Sequence, residues 1–254
     1  FHLTNLFFFY IKLTIIKMSN LILVRHGQSV WNLEKRFTGW VNVDLTEKGK
    51  IEAKKAGNLI KDQNIKIKYY YSSLQLRAHH TLKLIQKTLN DNQSFKKAWQ
   101  LNERHYGALT GLNKVELANK LGKEKVLEIR RSWAIKPDPL EKTSPLHPLN
   151  IDIYKNLPKE NIPDGESLKD TYLRVVDYYE SEIKKNLNIG NVLISAHGNS
   201  IRALCKYLLN IDEKVIANLE IPTGNPLLIN MNENNEIISC KYLDQERAKD
   251  LLVF

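Results

Sequence analysis

From Asn20 onward, short continuous apolar runs alternate with segments of helical period, and that alternation confines the chain to an α/β fold: a mostly parallel central sheet flanked by helices in three layers. Leu21-Ile22-Leu23-Val24 reads as a strand buried on both faces. A helix opens at Leu45-Thr46, with Ala53, Ala56, Gly57 and Ile60 on one stripe. Lys68 to Tyr71 forms a second strand ending at Ser72-Ser73, where a serine is expected to cap the next helix, which carries Leu74, Ala78, Leu82, Ile85 and Leu89 on one face. Val192 to Ala196 is a third strand, followed by a helix bearing Ile201, Leu204, Cys205, Leu208 and Leu209. Pro226–Ile229 and Ile237–Cys240 suggest a closing hairpin around the polar Asn232–Asn235 turn. At 254 residues the chain suits a single domain whose core needs no disulfide or metal, and Cys205 and Cys240 are too few for a disulfide scaffold and lack zinc spacing.

Two segments break this rhythm. Residues 1–17 precede Met18 and contain a run, Leu6–Ile11, too short for a membrane span and wrongly flanked for a signal peptide, so they are expected to be an upstream extension rather than a membrane anchor. Residues 18–254 then form the domain. Pro137, Pro139, Pro145, Pro148, Pro158 and Pro163 exclude a long helix or a central strand from residues 137–163, and a loop of that length is expected to be a lid or binding loop rather than an idle surface excursion. The net charge of +10 favours anionic partners, which could be nucleic acid, an acidic membrane or small phosphorylated molecules.

The chemistry concentrates where strands stop. Arg25-His26-Gly27 follows the first strand and Ala196-His197-Gly198-Asn199-Ser200 follows the third. Ligands of open α/β sheets sit at the carboxyl ends of strands, so two strand-end histidines, each followed by a glycine that allows close backbone approach, point to one shared cleft. Arg25 and Arg77 add guanidinium groups that fork onto phosphate oxygens, and a phosphate between the two histidines is the simplest occupant. A neutral imidazole can attack phosphorus and carry the phosphoryl group, provided that another group protonates the leaving oxygen. Glu103, in an apolar and aromatic setting near Trp99 and Tyr106, is the best carboxyl candidate.

The blocks LVRHGQSVWN (Leu23–Asn32), FTGW (Phe37–Trp40), DLTEKG (Asp44–Gly49), LNERHYGAL (Leu101–Leu109), GLNK (Gly111–Lys114), RRSW (Arg130–Trp133), ESLKDT (Glu166–Thr171), AHGNSIR (Ala196–Arg202) and IPTGNPL (Ile221–Leu227) occur in this order. They resemble the 2,3-bisphosphoglycerate-dependent phosphoglycerate mutases; the RHG element alone would indicate only the wider histidine phosphatase superfamily. The resemblance implies the fold of that superfamily and an isomerase of glycolysis and gluconeogenesis that interconverts 3-phosphoglycerate and 2-phosphoglycerate through a phosphohistidine. It makes His26 the nucleophile, Glu103 the proton donor and acceptor, and His197 the second imidazole. Arg25, Arg77 and His197 would hold the phosphoryl group with help from Asn32 and Gly198, and Thr38, Gly39, Tyr106, Lys114, Arg130, Arg131 and Asn199 would bind the rest of the substrate. It implies 2,3-bisphosphoglycerate as cofactor and no metal, since guanidinium and imidazole groups supply the charge stabilisation. A cytoplasmic homodimer or homotetramer, with no nucleic-acid or membrane partner, is the expected assembly.

Residues 137–163 match the family poorly apart from Tyr154–Pro158, and family members often carry a mobile lysine-rich tail where this chain stops at Lys249–Phe254. If such a tail guards the phosphohistidine from water, its loss would raise phosphatase side activity. A phosphomonoesterase of the same superfamily is the alternative, although it would not need the Leu101–Lys114 and Arg130-Arg131 blocks. A basic nucleic-acid-binding protein rests on charge alone, without an RNP, zinc-finger or basic-aromatic motif.

Overall fold

The computed structural model describes residues 18–249. The expectations for residues 1–17 and for the end of the chain beyond Lys249 lie outside the described residues. Strand β1 (Ser19–Arg25) leads through a one-turn helix α1 (Val30–Leu33) to α2 (Glu47–Lys61), β2 (Ile67–Ser72), α3 (Leu76–Leu89) and a two-residue strand β3 (Lys96–Lys97). Helices α4 (Lys114–Leu121) and α5 (Lys123–Arg131) follow, then α6 (Leu168–Tyr178), which runs through a π turn into α7 (Lys184–Leu187). Strand β4 (Asn191–Ala196), helix α8 (Gly198–Leu208) and the hairpin β5 (Leu227–Met231) and β6 (Ile237–Tyr242) complete the order.

The sheet runs β3-β2-β4-β1-β5-β6. β3, β2, β4 and β1 are mutually parallel, and β5 and β6 close the other edge antiparallel, as the apolar runs and the polar turn between the last two imply. Side chains alternate across a strand, so β1 divides its residues between two cores. Leu21 and Leu23 pack with Val192, Ile194 and the α6 and α8 side chains Val175, Ile201 and Leu204. Ile22 and Val24 pack with Leu193, Ala56 and Ile60 of α2, and Leu82 and Ile85 of α3. All four β1 residues are at most 1% exposed, each burial being worth about 1.5–3 kcal/mol. A run with no polar member is what a strand covered on both faces requires.

One local reading changes. Neither Ser72 nor Ser73 caps α3: its N-cap is Gln75, whose side chain makes no cap bond, and Leu74 lies ahead of the helix. The first N–H of α3, at Leu76, is instead satisfied by Asn42 Oδ1 at 2.8 Å. Ser73 is thereby free for a different role, described below. Residues 137–163 contain three short 3₁₀ turns, and the segment is largely exposed but pinned at buried points. Tyr154 is 1% exposed and donates to the Trp40 carbonyl at 2.6 Å, while Asp138 O accepts from Ala108 N at 2.8 Å. At Gly107 (φ +55°) a Cβ would lie 2.0 Å from Asp138 O, so only glycine lets this segment lie against the loop that carries Glu103.

Candidate active site

Register alone assembles the centre. Arg25 pairs with Ala196 and Ser72 with Ser195, so β1, β4 and β2 release their next residues side by side at one end of the sheet. Those residues are His26, His197 and Ser73. His26 N donates to Ala196 O at 3.0 Å, and the two imidazole rings meet edge to face with centroids 5.0 Å apart.

Each ring has one nitrogen committed. His26 Nδ1 lies 2.7 Å from Gly27 O, a carbonyl that can only accept, so Nδ1 carries the proton and Nε2 keeps its lone pair. His197 Nε2 lies 2.7 Å from Ser73 Oγ, and its buried Nδ1 has no partner among the described residues. Burial first, and then the Arg77 guanidinium, hold both imidazoles well below their ordinary value; Arg25 adds to this at His26, and His26 itself at His197. Both are therefore neutral at physiological pH, as a nucleophilic nitrogen requires.

Gly27 serves packing rather than ligand approach. A Cβ there would lie 2.1 Å from Gly49 O, so the glycine seats the strand end on the first turn of α2. At Gly198 a Cβ would make ordinary contact, 3.6 Å, with the Arg25 guanidinium. Gly198 opens α8, with His197 as N-cap donating its N–H to Ser200 Oγ at 3.1 Å, so the site lies at the positive end of an 11-residue helix.

The cations are held by carbonyls. Arg77, 1% exposed, donates to Val41 O (2.8 Å), Gly39 O (2.9 Å) and Gln75 Oε1 (3.1 Å), and burial lowers its pKa to about 10. Arg25 donates to Ile221 O at 2.7 Å and leaves a buried Nε without a partner among the described residues; its pKa too is lowered by burial. Gly39 adopts φ +52°, which turns its carbonyl toward Arg77 and Gln75.

Glu103 accepts through Oε1 from two backbone donors, Arg104 N (2.8 Å) and Asn199 N (3.2 Å) in the first turn of α8. The loop carrying it is clamped from below by a buried bidentate pair: Arg174 binds Glu166 at 2.7 and 2.9 Å and donates to the carbonyls of Gln100, Asn102 and Glu103. Glu166 accepts from His105 N at 2.7 Å. Fully buried Arg104 ties the same loop to the carbonyls of Ile129 and Arg130 in the last turn of α5 and of Ile135 beyond it, which sets where Arg130 and Arg131 emerge.

A cavity of about 100 Å³ gathers seven predicted residues, Arg25, Glu103, Tyr106, Arg130, Arg131, Gly198 and Asn199, together with Arg202 and Glu220. Four guanidinium groups against two carboxylates leave it cationic, suited to a small multiply charged anion. Tyr106 OH accepts from Asn199 Nδ2 at 2.8 Å, Arg202 bonds Asn199 Oδ1, and Arg131 bonds Glu220. His26, His197 and Arg77 are buried and do not line this cavity. Asn32, Thr38, Gly39 and Lys114 do not line it either: Asn32 Oδ1 accepts from Ser29 N in the cap of α1, and Lys114 Nζ donates to Arg36 O beside an adjoining groove that shares Arg130. Larger grooves of about 720 and 810 Å³ run along residues 61–97, away from the strand ends that carry the histidines, and lack such a constellation. Among the described residues no group of three or more His, Cys, Asp or Glu is arranged to hold a metal ion.

Sequence reasoning missed Ser73, Gln75, Arg104, Glu166, Arg174, Arg202 and Glu220 as parts of the site. Arg202 could have been found, lying one helical turn beyond Asn199 on the same face. Gln75 and Arg174 carry no local signal.

The model of the histidine phosphatase superfamily (branch 1) matches residues 21–147 and 139–241. The chain is 66% identical over 238 residues to the 2,3-bisphosphoglycerate-dependent phosphoglycerate mutase of Pelagibacter ubique (strain HTCC1062), covering 93% of this chain and 100% of that protein. It is 46% identical over 231 residues to the protein of the same name from Borreliella burgdorferi (strain ZS7), covering 90% of this chain and 93% of that one. In fold it is similar to a native mycobacterial glucosyl-3-phosphoglycerate phosphatase (TM-score 0.63, 19% identity, 89% of this chain and 97% of that one) and to Bacillus stearothermophilus YhfR (TM-score 0.64, 20% identity, 86% and 94%). With paired strand-end histidines at its centre and two-thirds of its residues shared with a relative along nearly its whole length, the chain belongs to the 2,3-bisphosphoglycerate-dependent phosphoglycerate mutases of the histidine phosphatase superfamily.

Proposed function

We propose that the protein is a 2,3-bisphosphoglycerate-dependent phosphoglycerate mutase, an isomerase that interconverts 3-phosphoglycerate and 2-phosphoglycerate in glycolysis and gluconeogenesis. The observation that carries the reading is the pair of buried imidazoles His26 and His197, ring centroids 5.0 Å apart, which adjoin in sequence Arg25 and Gly198 of a cavity lined by four arginines. Residues 18–254 act as one such domain. The phosphoryl site uses His26, His197, Arg25 and Arg77, with Asn32 and Gly198 assisting. Thr38, Gly39, Tyr106, Lys114, Arg130, Arg131 and Asn199 take the remainder of the phosphoglycerate.

The chain has atoms to spare for such a group: His197 Nδ1 and Arg25 Nε are buried without partners among the described residues, which suits them to phosphoryl oxygens. When bound, 2,3-bisphosphoglycerate supplies the phosphoryl group that His26 carries. His26 Nε2 would take that group, an N–P bond forming as the P–O bond breaks, and Glu103 would protonate the departing oxygen. In the return step a substrate hydroxyl attacks, Glu103 takes its proton and the N–P bond breaks. His197 Nδ1–H and the guanidinium groups stabilise the charge on the transferring oxygens, while the N-terminus of α8 adds its dipole.

No described helix is long and apolar enough to cross a membrane. The enzyme acts in the cytoplasm as a homodimer or homotetramer, without a nucleic-acid or membrane partner. Incubation with 3-phosphoglycerate, with and without a trace of 2,3-bisphosphoglycerate, tests the reading. Formation of 2-phosphoglycerate that depends on the trace is expected, and release of free phosphate alone would make the protein a phosphomonoesterase.

A further inference from the structure

We propose that Gln75 is a positioning residue that sets Glu103 and Arg77 in register with each other, an inference that rests on the proton-transfer role of Glu103 and the phosphoryl-binding role of Arg77. Its side chain is fully buried and makes all four hydrogen bonds open to an amide. Oε1 accepts from Glu103 N and from Arg77 Nη2, both at 3.1 Å. Nε2 donates to Gly39 O at 3.0 Å and to Tyr154 OH at 3.1 Å. Its backbone N–H donates to Ser73 Oγ at 3.2 Å, and Ser73 Oγ in turn bonds His197 Nε2 at 2.7 Å.

One oxygen therefore supports the backbone of the acid–base residue and the guanidinium that grips the phosphoryl group. The same amide fixes the Gly39 turn and the covering segment through Tyr154. A residue at the N-cap of a helix would ordinarily be a short polar one bonding the first turn. Gln75 forgoes that bond, and the neighbouring N–H of Leu76 is taken by Asn42. The side chain is committed to the site at the expense of the local helix end. Only an amide of this length fits: glutamate lacks the two donors, asparagine is one methylene short, and methionine fills the space without bonding.

The test measures turnover, KM for 3-phosphoglycerate and the pH profile of turnover for wild type, Gln75→Met, Glu103→Gln and the double variant. Misplacement of a catalytic group by about 1 Å costs on the order of 10²-fold, so Gln75→Met should lower turnover about 10- to 100-fold with KM changed less than about threefold. Its pH profile should shift relative to wild type. The double variant should lose less than the product of the two single losses, because the part of the Gln75 effect that runs through Glu103 is already gone and only the part that runs through Arg77 remains. If circular dichroism shows that the methionine variant does not fold, Gln75→Glu, which keeps an acceptor for Glu103 N and Arg77 but replaces the two donors with an acceptor and adds a negative charge, carries the test with an expected loss of at least about tenfold. Wild-type turnover and pH profile in the Gln75 variant, or losses that multiply in the double variant, would overturn the inference while leaving a crippled Glu103→Gln intact as support for the functional reading. Full turnover in Glu103→Gln itself would overturn both.

Discussion

Replacement of Glu103 by glutamine isolates proton transfer from structure. Among the described residues only Oε1 of this carboxylate is hydrogen-bonded, by Arg104 N and Asn199 N, and both donors can equally serve an amide oxygen. The glutamine can therefore take up the same position, losing the charge assistance of two bonds, worth about 1 kcal/mol each at most. Titration is lost altogether. A general acid–base group contributes about 10²–10⁴-fold, so turnover should fall by that factor, about 3–5 kcal/mol in the barrier. KM should stay level or fall, because the change removes one of two negative charges from a cavity lined by Arg25, Arg130, Arg131 and Arg202. The assay is the conversion of 3-phosphoglycerate to 2-phosphoglycerate under saturating bisphosphoglycerate, with thermal melting to confirm an intact fold. Unchanged turnover with a raised KM would make Glu103 a binding residue and refute the argument.

His26→Ala should abolish mutase activity and acid-labile labelling by radioactive bisphosphoglycerate; label persisting on the variant would move the nucleophile elsewhere. Stability should fall as pH drops below about 6.5, because burial depresses the folded-state pKa of His26, His105 (to about 3) and His197, so the unfolded chain binds protons that the folded one refuses. Each contributes about 1.4 kcal/mol per pH unit in the window below 6.5, and a urea midpoint that does not move between pH 7 and 5.5 would contradict it. Lys114, lowered to about 8 chiefly by burial and then by Arg130 and Arg25, should give kcat/KM an alkaline limb near pH 8. Lys114→Arg should move that limb upward, and a limb that stays in place belongs to another group.

The sheet was legible from the amino-acid sequence because β1 and β4 are buried on both faces and carry unbroken apolar runs, a signal that needs no partner to be read. The same runs place His26 and His197 at strand ends, the local sequence points to Arg25, Arg77 and Glu103, and the family resemblance supplies Arg130 and Arg131. What tertiary structure decided is how far these groups come together. The parallel register of β4 between β1 and β2 brings His26, His197 and Ser73 to one point, and register depends on residues far apart in sequence. Ser73 looked like a helix cap because local rules see only its neighbours, whereas its hydroxyl is taken by an imidazole from another strand. Gln75, Arg104, Glu166 and Arg174 were invisible for the same reason. A buried polar side chain is determined by the carbonyls and N–H groups that must be satisfied around it, and those are known only once the chain has folded.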